Sequence, residues 1–553
     1  MTTQLRTLRL QAAKLRRLSQ PYFLPYTEDN GWQFFGLLVC LLFCVAGLVL
    51  FLLTGLMNAL SWLKPDLTQI YLGGVQSSLS MLWSSGWGGA ITVLFGIGSI
   101  VFASIRSQLR HRRWLPWLFL GVIILMLLSV NGINAGITFI ARDLTNALIA
   151  KDGEASFRNL WVYGVCFAAA LPIRSLQFYF TQKLGLLWRE WLSLSLVDDY
   201  LSDRAYYILN PNDEAATNVD NPDQRISEDA RDFTAQTLGF TLSIFDSILT
   251  FSLNILILFS VSETLTFALL VYASLISLLM IVAGKKLVRL NNFQLRYEAD
   301  FRYGLVRVRD NAESIAFYSG EGQESKEINR RLKTVVENFN LLIVWEVLLR
   351  VLQRSSIYAS NFIPYLILAA PILAGEMDYG GFAQANVAYN LVEGSLFFII
   401  YNIEALARFS ASINRLEGFQ SNISSIDSGE WSDFIPNIEP SSQLAVQGIT
   451  VKTPRTDNVL IRDLSFSLEP AHGLLVVGPS GCGKTSLLRV VSGLWGSPTG
   501  RVLSPDTGEL LFIPQKPYMA LGSLREQLCY PLDQARFSDE QLRSVLELSL
   551  IHI

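Results

Sequence analysis

Gly478-Pro-Ser-Gly-Cys-Gly-Lys-Thr485 is preceded by the apolar run Leu474 to Val477 and opens into Ser486-Leu-Leu-Arg-Val-Val491. The apolar run predicts a strand and the stretch after the loop predicts a helix. In that setting a G-x-x-x-x-G-K-[ST] match reads as a phosphate-binding loop rather than a chance glycine-rich turn. The glycines Gly478, Gly481 and Gly483, with Pro479, Ser480 and Cys482 between them, let backbone N–H groups from Gly481 to Thr485 close around phosphate oxygens. The helix N-terminus at Ser486 adds positive potential there. Lys484 is expected to reach the β- and γ-phosphates, and the Thr485 hydroxyl to help hold Mg²⁺. The cofactors expected are therefore ATP and Mg²⁺.

Nearly everything before this loop is built for a bilayer. Of 553 residues, 51% are hydrophobic and only 16% are charged, with a mean hydropathy of +0.34. That composition predicts an integral membrane protein of two or more domains. A net charge of −3 and the lack of a basic arm with interleaved aromatics argue against a nucleic-acid partner. The cysteines Cys40, Cys44, Cys166, Cys482 and Cys529 show no metal-ligand or disulfide spacing. Cys40 and Cys44 share a helix face, where packing is the expected role. Cys482, inside the loop, offers oxidation a way to block nucleotide, against the plainer reading of a structural thiol. The N-terminal basic stretch (Arg6, Arg9, Lys14, Arg16, Arg17) is not followed by a signal-peptide core or cleavage site.

Apolar segments fall near 33–57, 88–105, 115–140, 157–180, 237–260, 264–284, 355–374 and 381–403. Most approach the ~20 residues that a helix needs to cross the hydrocarbon core. The glycine-rich 88–105 segment is the shortest. Lys and Arg concentrate in alternate loops: Arg106, Arg110, Arg112 and Arg113; then 181–236; then Lys285 to Arg309. The intervening loops are nearly free of positive charge. The alternation predicts eight crossings with both ends cytoplasmic. The polar stretches 181–236 and 285–340 keep helical periodicity, so helices running on past the bilayer are expected. Glu346 and Arg350, four apart, are expected to pair. A polar linker is expected from about 404 to 441, and strands over Leu444–Val451 and Val459–Leu468.

Three further stretches carry a resemblance. They are Asn221-Pro-Asp-Gln-Arg-Ile-Ser-Glu-Asp-Ala-Arg-Asp-Phe233, Asn311-Ala-Glu-Ser-Ile-Ala-Phe-Tyr-Ser-Gly-Glu321 and Arg142-Asp-Leu-Thr-Asn-Ala-Leu-Ile-Ala-Lys-Asp152. With the phosphate loop, they make the chain resemble ATP-binding cassette half-transporters of subfamily D and their bacterial SbmA/BacA-like relatives, over roughly residues 115 to 545. The resemblance implies a mainly α membrane protein, an exporter-type bundle of about eight transmembrane helices, joined to a partial α/β P-loop nucleotide-binding domain. The implied layout is an N-terminal segment with an additional hairpin (1–114), a six-helix core (115–410), a linker (411–441) and the nucleotide-binding domain (442–553). It implies a homodimer in the bacterial inner membrane, in contact with lipid, moving an unidentified substrate by ATP-coupled alternating access.

Residue by residue, Gln515 in Phe512-Ile-Pro-Gln-Lys-Pro-Tyr518 matches the Q-loop, which senses γ-phosphate and its Mg²⁺. Asp223, Gln224, Arg225 and Glu228, with Glu313 and Glu321, match the coupling stretches; a solvated helix face is the plain alternative. The adenine-stacking aromatic is not evident, Thr453-Pro454 occupying that neighbourhood. No signature motif, acidic Walker B residue, D-loop or switch histidine precedes Ile553, and Leu548-Ser-Leu-Ile-His-Ile553 resembles translated sequencing adapter. The expectation is a stop created by assembly and half of an ATP site shared between subunits.

Ionisable groups at membrane depth are costly and tend to line a cavity. Glu393, flanked by Asn386, Tyr389 and Asn390, is the best candidate for a translocation path, ahead of Asp246 and Arg174. A buried interhelical hydrogen bond is the plain alternative for Glu393. Two other functions stay open at this point. One is a proton-coupled secondary transporter using Glu393; the other is a nucleotide-binding membrane protein without turnover.

Overall fold

A computed structural model describes residues 14, 18–19, 22–23, 31–63, 80, 83–84, 87–105, 114–209, 221–427, 437–453, 458–469, 472–497, 499–505, 510–513 and 518–550. The Arg106–Arg113 run and Gln515 lie outside them. The chain divides into two compact units, Met1–Ser202 with Asp220–Ser421, and Asp203–Val219 with Asn422–Ile553.

The first unit is helical. Each expected apolar segment lies on a helix: α1 (Gly31–Leu63), α2 (Trp87–Ile105), α3 (Trp114–Ile149), α4 (Gly153–Leu201), then α6 (Ala230–Val261), α7 (Glu263–Asp310), α9 (Glu321–Leu373) and α10 (Tyr379–Tyr401). Between them stand the short α5 (Ala205–Ile208), which belongs to the second unit, and α8 (Ala312–Tyr318). By length and composition, the helical stretches Leu115–Ile149, Gly153–Ile208, Pro222–Val261 and Glu263–Asp310 can cross a membrane. The helices run on past the apolar runs as predicted, α4 over 49 residues, α7 over 48 and α9 over 53. Asp152 starts α4 by accepting from the Ala155 amide, and Ser262 starts α7 by accepting from the Leu265 amide. Pro172, Pro364 and Pro371 are taken up within continuous helices.

Packing follows from small residues meeting large ones. A Cβ on Gly98 would lie 2.8 Å from both the Cys40 carbonyl oxygen and the Cys44 sulfur, so α1 and α2 touch backbone to side chain at that point. In the bundle, Leu258, Leu265, Leu269 and Leu368 enclose Ala385, Ala388, Tyr389 and Val392 of α10.

Two expectations are corrected. Glu346 and Arg350 form no ion pair, because ordering two long side chains costs rotamer entropy that water and salt leave uncompensated at a helix surface. The start of the expected linker is instead helix α11 (Ile403–Asp427), since Phe409, Ile413, Leu416, Phe419 and Ile423 form a buried stripe at helical spacing.

The second unit holds a four-stranded sheet in the order β1-β4-β2-β3: β1 (Ile438–Pro440), β2 (Leu444–Lys452), β3 (Val459–Leu468) and β4 (Arg501–Ser504). β1 and β4 are parallel, and β2 is antiparallel to both of its neighbours. Helix α12 (Lys484–Val491) packs Leu487, Val490 and Val491 onto Val446, Ile449, Val451 and Val502 of the sheet. Helices α13 (Leu524–Cys529) and α14 (Asp539–Leu550) follow. The strand expected at Leu474–Val477 is absent. No described strand pairs with this run and its side chains are exposed, Leu475 to 84%; apolar residues form a central strand only when neighbours take up their backbone hydrogen bonds.

Candidate nucleotide site and its connections

The phosphate loop has the backbone that its glycines permit. Gly481 (φ 82°) and Gly483 (φ 99°) sit in the left-handed region, and Gly483 is the cap from which α12 begins. A Cβ on Gly483 would come within 3.1 Å of the Leu460 side chain. The Cys482 amide donates to the Pro479 carbonyl at 3.4 Å within the turn, and the turn leads into the N-terminus of an eight-residue helix. Lys484 folds back over the loop, its Nζ donating at 2.7 Å to the carbonyls of both Gly478 and Pro479, with Cys482 Sγ 3.9 Å away. An ammonium so placed can exchange a carbonyl for a phosphate oxygen. No acidic side chain lies between Gly478 and Ser486, so nothing within the loop repels a polyphosphate.

At its other end, α12 closes with a Schellman turn. Gly493 (φ 71°) donates to the Val490 carbonyl at 3.0 Å and Leu494 to that of Arg489 at 2.8 Å. Arg204 donates to the Gly493 carbonyl, and Tyr207 of α5 packs on the core formed by β2, β4 and α12. The short α5 stands on two left-handed residues, Asp203 (φ 44°) and Arg204 (φ 58°). The sequence reading missed Arg204 and Tyr207. Positive φ at non-glycine positions leaves no compositional trace, and the contact with Gly493 joins residues 289 apart.

The expected coupling residues separate into two groups. Asp223 is exposed, and Gln224 donates to Glu228 at 3.1 Å. Arg225 begins a π-helical turn, Arg225–Asp229, that runs into α6. Its Nη1 donates to Asp229 Oδ2 at 2.7 Å. Arg415 of α11 grips the same carboxylate with Nε at 3.0 Å and Nη2 at 2.6 Å, and the Ser412 hydroxyl lies 3.5 Å away. Burial pushes the Asp229 carboxyl up, but hydrogen bonds from Arg415 and Arg225 outweigh it and hold the group below the usual carboxylate range. Sequence alone did not single out Asp229, since its partner stands 186 residues away. Glu313 and Glu321 lie exposed near the turn between α7 and α9.

Within the apolar helices, Asp246 accepts from Asn131 at 2.6 Å and lies 3.7 Å from Arg174, while Thr250 donates to Asn131 at 2.6 Å. The structure thus gathers Asp246 and Arg174 into one polar cluster. Glu393 stands apart on α10. It is 9% exposed and its Oε1 meets no hydrogen-bond partner among the described residues; one turn earlier, the Tyr389 hydroxyl is hydrogen-bonded to Ser360 of α9 at 2.9 Å.

Comparison with known proteins agrees with this geometry. Residues 106–373 match the family described as ABC transporter transmembrane region 2, and residues 461–527 match the ABC transporter family. An uncharacterized ABC transporter ATP-binding protein of Synechocystis is 41% identical over 96% of this chain and 81% of its own length. ABC transporter D family member 2, chloroplastic, of Arabidopsis thaliana is 33% identical over 78% of this chain and 65% of its own. The inner membrane ABC transporter ATP-binding protein YddA of Escherichia coli is 28% identical over 76% of each.

Proposed function

Because the chain belongs to the ABC transporter family, among the D-family transporters and their bacterial relatives, we propose that it works as a homodimer. In this reading each copy turns nucleotide binding into movement of its membrane helices. ATP-driven transport across a membrane is the family's activity; the dimer, the residue roles and the membrane are the parts proposed.

One observation carries the reading. The two ends of α12 face different tasks, the phosphate loop at its start and Arg204 with Tyr207 at its Schellman end. A charge change at the loop can therefore shift a packed helix that already touches α5. Lys484 and the loop amides bind the phosphates, with the backbone of Gly478 to Gly483 shaping the cradle. Thr485 and Gln515 supply oxygens for Mg²⁺, which when bound neutralises phosphate charge and polarises the γ-phosphoryl group. The polar cluster at Asp246 and the buried Glu393 lie along the path of the unidentified substrate, since polar groups at membrane depth are retained where a path needs them. Charge asymmetry of the loops supports a cytoplasmic N-terminus and nucleotide unit, and the bacterial relatives support a bacterial inner membrane.

The test is purified protein in liposomes, assayed for photo-crosslinking of azido-ATP and for vanadate-sensitive ATP turnover. Labelling that disappears in Lys484→Ala, with turnover that vanadate stops, agrees with the reading. Transport that continues on a proton gradient after Lys484→Ala would overturn it in favour of a secondary transporter built on Glu393.

A further inference from the structure

Asp229 stands where the π-helical turn runs into α6, and its side chain makes no helix-capping hydrogen bond. Its carboxylate is 3% exposed and takes four hydrogen bonds from three side chains. Two of these come from the fork of Arg415, in the planar two-pronged geometry that guanidinium alone provides. On one side of the tie stands α6, which rises from the π-helical turn straight into an apolar span. On the other stands α11, whose chain leads on to β1 and so is a covalent route into the second unit, besides the links on either side of Asp203–Val219.

The tie is reinforced along α11. Phe233 and Phe240 of α6 set their rings 6.4 and 5.4 Å from Phe409, and Tyr200 of α4 lies 6.0 Å from Phe419. Lys14 grips the same helix, its ammonium 3.0 Å from Glu417 and donating to Asn414 at 3.1 Å. A helix held only by rings can slide. A helix held by a buried, charge-assisted fork has one register. π-Helical turns are rare and collect at functional sites, because the extra residue must be held by its surroundings; here Arg225 and Asp229, the first and last residues of the turn, bond to each other.

We propose that Asp229 is a positioning residue of the transport cycle, which locks α11 to the cytoplasmic start of α6 so that the two move as one body. Movement of the nucleotide unit then reaches the spans through the chain itself as well as through α5. The proposal rests on the nucleotide-driven reading above, and its test separates the two.

The intact protein, with its five cysteines replaced by serine, is spin-labelled at Ala235→Cys on α6 and Ser421→Cys on α11. It is reconstituted in liposomes, and the label separation is measured without nucleotide and after trapping with MgATP and vanadate. The expected result is one narrow distance in both states for Asp229 and for Asp229→Glu. In Asp229→Asn the distribution should broaden on trapping, while MgATP affinity stays within about twofold and kcat for ATP falls about tenfold at unchanged KM. A distance in Asp229→Asn that stays narrow in both states overturns the proposal. A parent protein that neither binds MgATP nor changes on trapping overturns the nucleotide-driven reading instead. If Asp229→Asn does not assemble, Arg415→Lys, which keeps the charge and loses the fork, is read by the same criteria.

Discussion

The two polar excursions between apolar segments of the chain are built on opposite plans. The first, in its described parts 202–209 and 221–229, is conformationally costly. Asp203, Arg204 and Asn221 adopt positive φ without being glycine, and a π-helical turn follows. The second is two long helices lying side by side. Asn338 of α9 donates to Gln294 at 2.8 Å and to the Leu290 carbonyl at 3.1 Å, and Arg331 donates to the Asp300 carbonyl at 2.8 Å. The turn between them exposes Phe317 to 80% and Tyr318 to 86%. Unusual backbone gathers where side chains meet partners far along the chain. The second excursion has one such position, Ser319 (φ 52°), at its exposed tip, between otherwise regular helices.

The comparison breaks most readily at Asp229. Asp229→Ala strands Arg225 and Arg415 and should destabilise the first unit by about 3 kcal/mol. That is the low end for a broken buried pair, because Arg415 is itself half exposed. A thermal melt followed by intrinsic tryptophan fluorescence measures it; a melt within about 1 kcal/mol of the parent protein, by the same buried-pair reasoning, denies the cluster its weight. Next comes Asn338→Leu, which leaves the Gln294 side-chain oxygen without its donor and removes a second bond to the Leu290 carbonyl, and should cost about 1–3 kcal/mol. Its effect should appear as faster amide exchange over α7 and α9 only, with the first excursion unchanged.

Tyr207→Ala should affect function more than fold. ATP turnover is expected to fall roughly tenfold in kcat with KM little changed, because the change lies beyond the phosphate site. Equal loss from Tyr318→Ala in a protein shown to be monomeric would erase the distinction between the excursions.

The smallest effect is electrostatic. Hydrogen bonds from Arg330 and Arg331 lower the Glu327 carboxyl from 4.5 to about 2. A carboxyl lowered on folding stabilises above its unfolded pKa and loses that contribution as pH falls toward the folded one. The first turns of α9 should therefore hold at neutral pH and loosen between about pH 4.5 and 2. Amide exchange at 321–334 reads this, and about 1 M salt should mimic part of it because the cluster is exposed.

Much of this was legible because it is local. Apolar run length placed every span on a helix, and the glycine spacing of the phosphate loop placed the start of α12. That Leu474–Val477 forms no strand was not legible, since an apolar run says nothing of whether neighbours will pair with it. α11 was read as linker because its composition is polar, while its buried stripe of Phe409, Ile413, Leu416 and Phe419 shows only at helical period. Arg204 with Gly493 and Asp229 with Arg415 lay beyond reach, each a pairing across well over a hundred residues. Glu393 was legible as an ionisable residue within an apolar segment, flanked by Asn386, Tyr389 and Asn390, and it is buried with its Oε1 unpartnered among the described residues.

The contact at Gly98 bears on how the protein is made. Lipid tails compete on equal terms with apolar side chains, so two such helices stay together only where small residues let them come close. On the reading of α1 and α2 as an added transmembrane hairpin, that requirement is met between these two helices at Gly98. Chains fold as they are synthesised, N-terminal parts first. The hairpin can therefore settle in the bilayer while the later spans are still on the ribosome. A bulky residue at position 98 would then act during biogenesis, lowering the amount of protein inserted and leaving the turnover of each assembled molecule as it was.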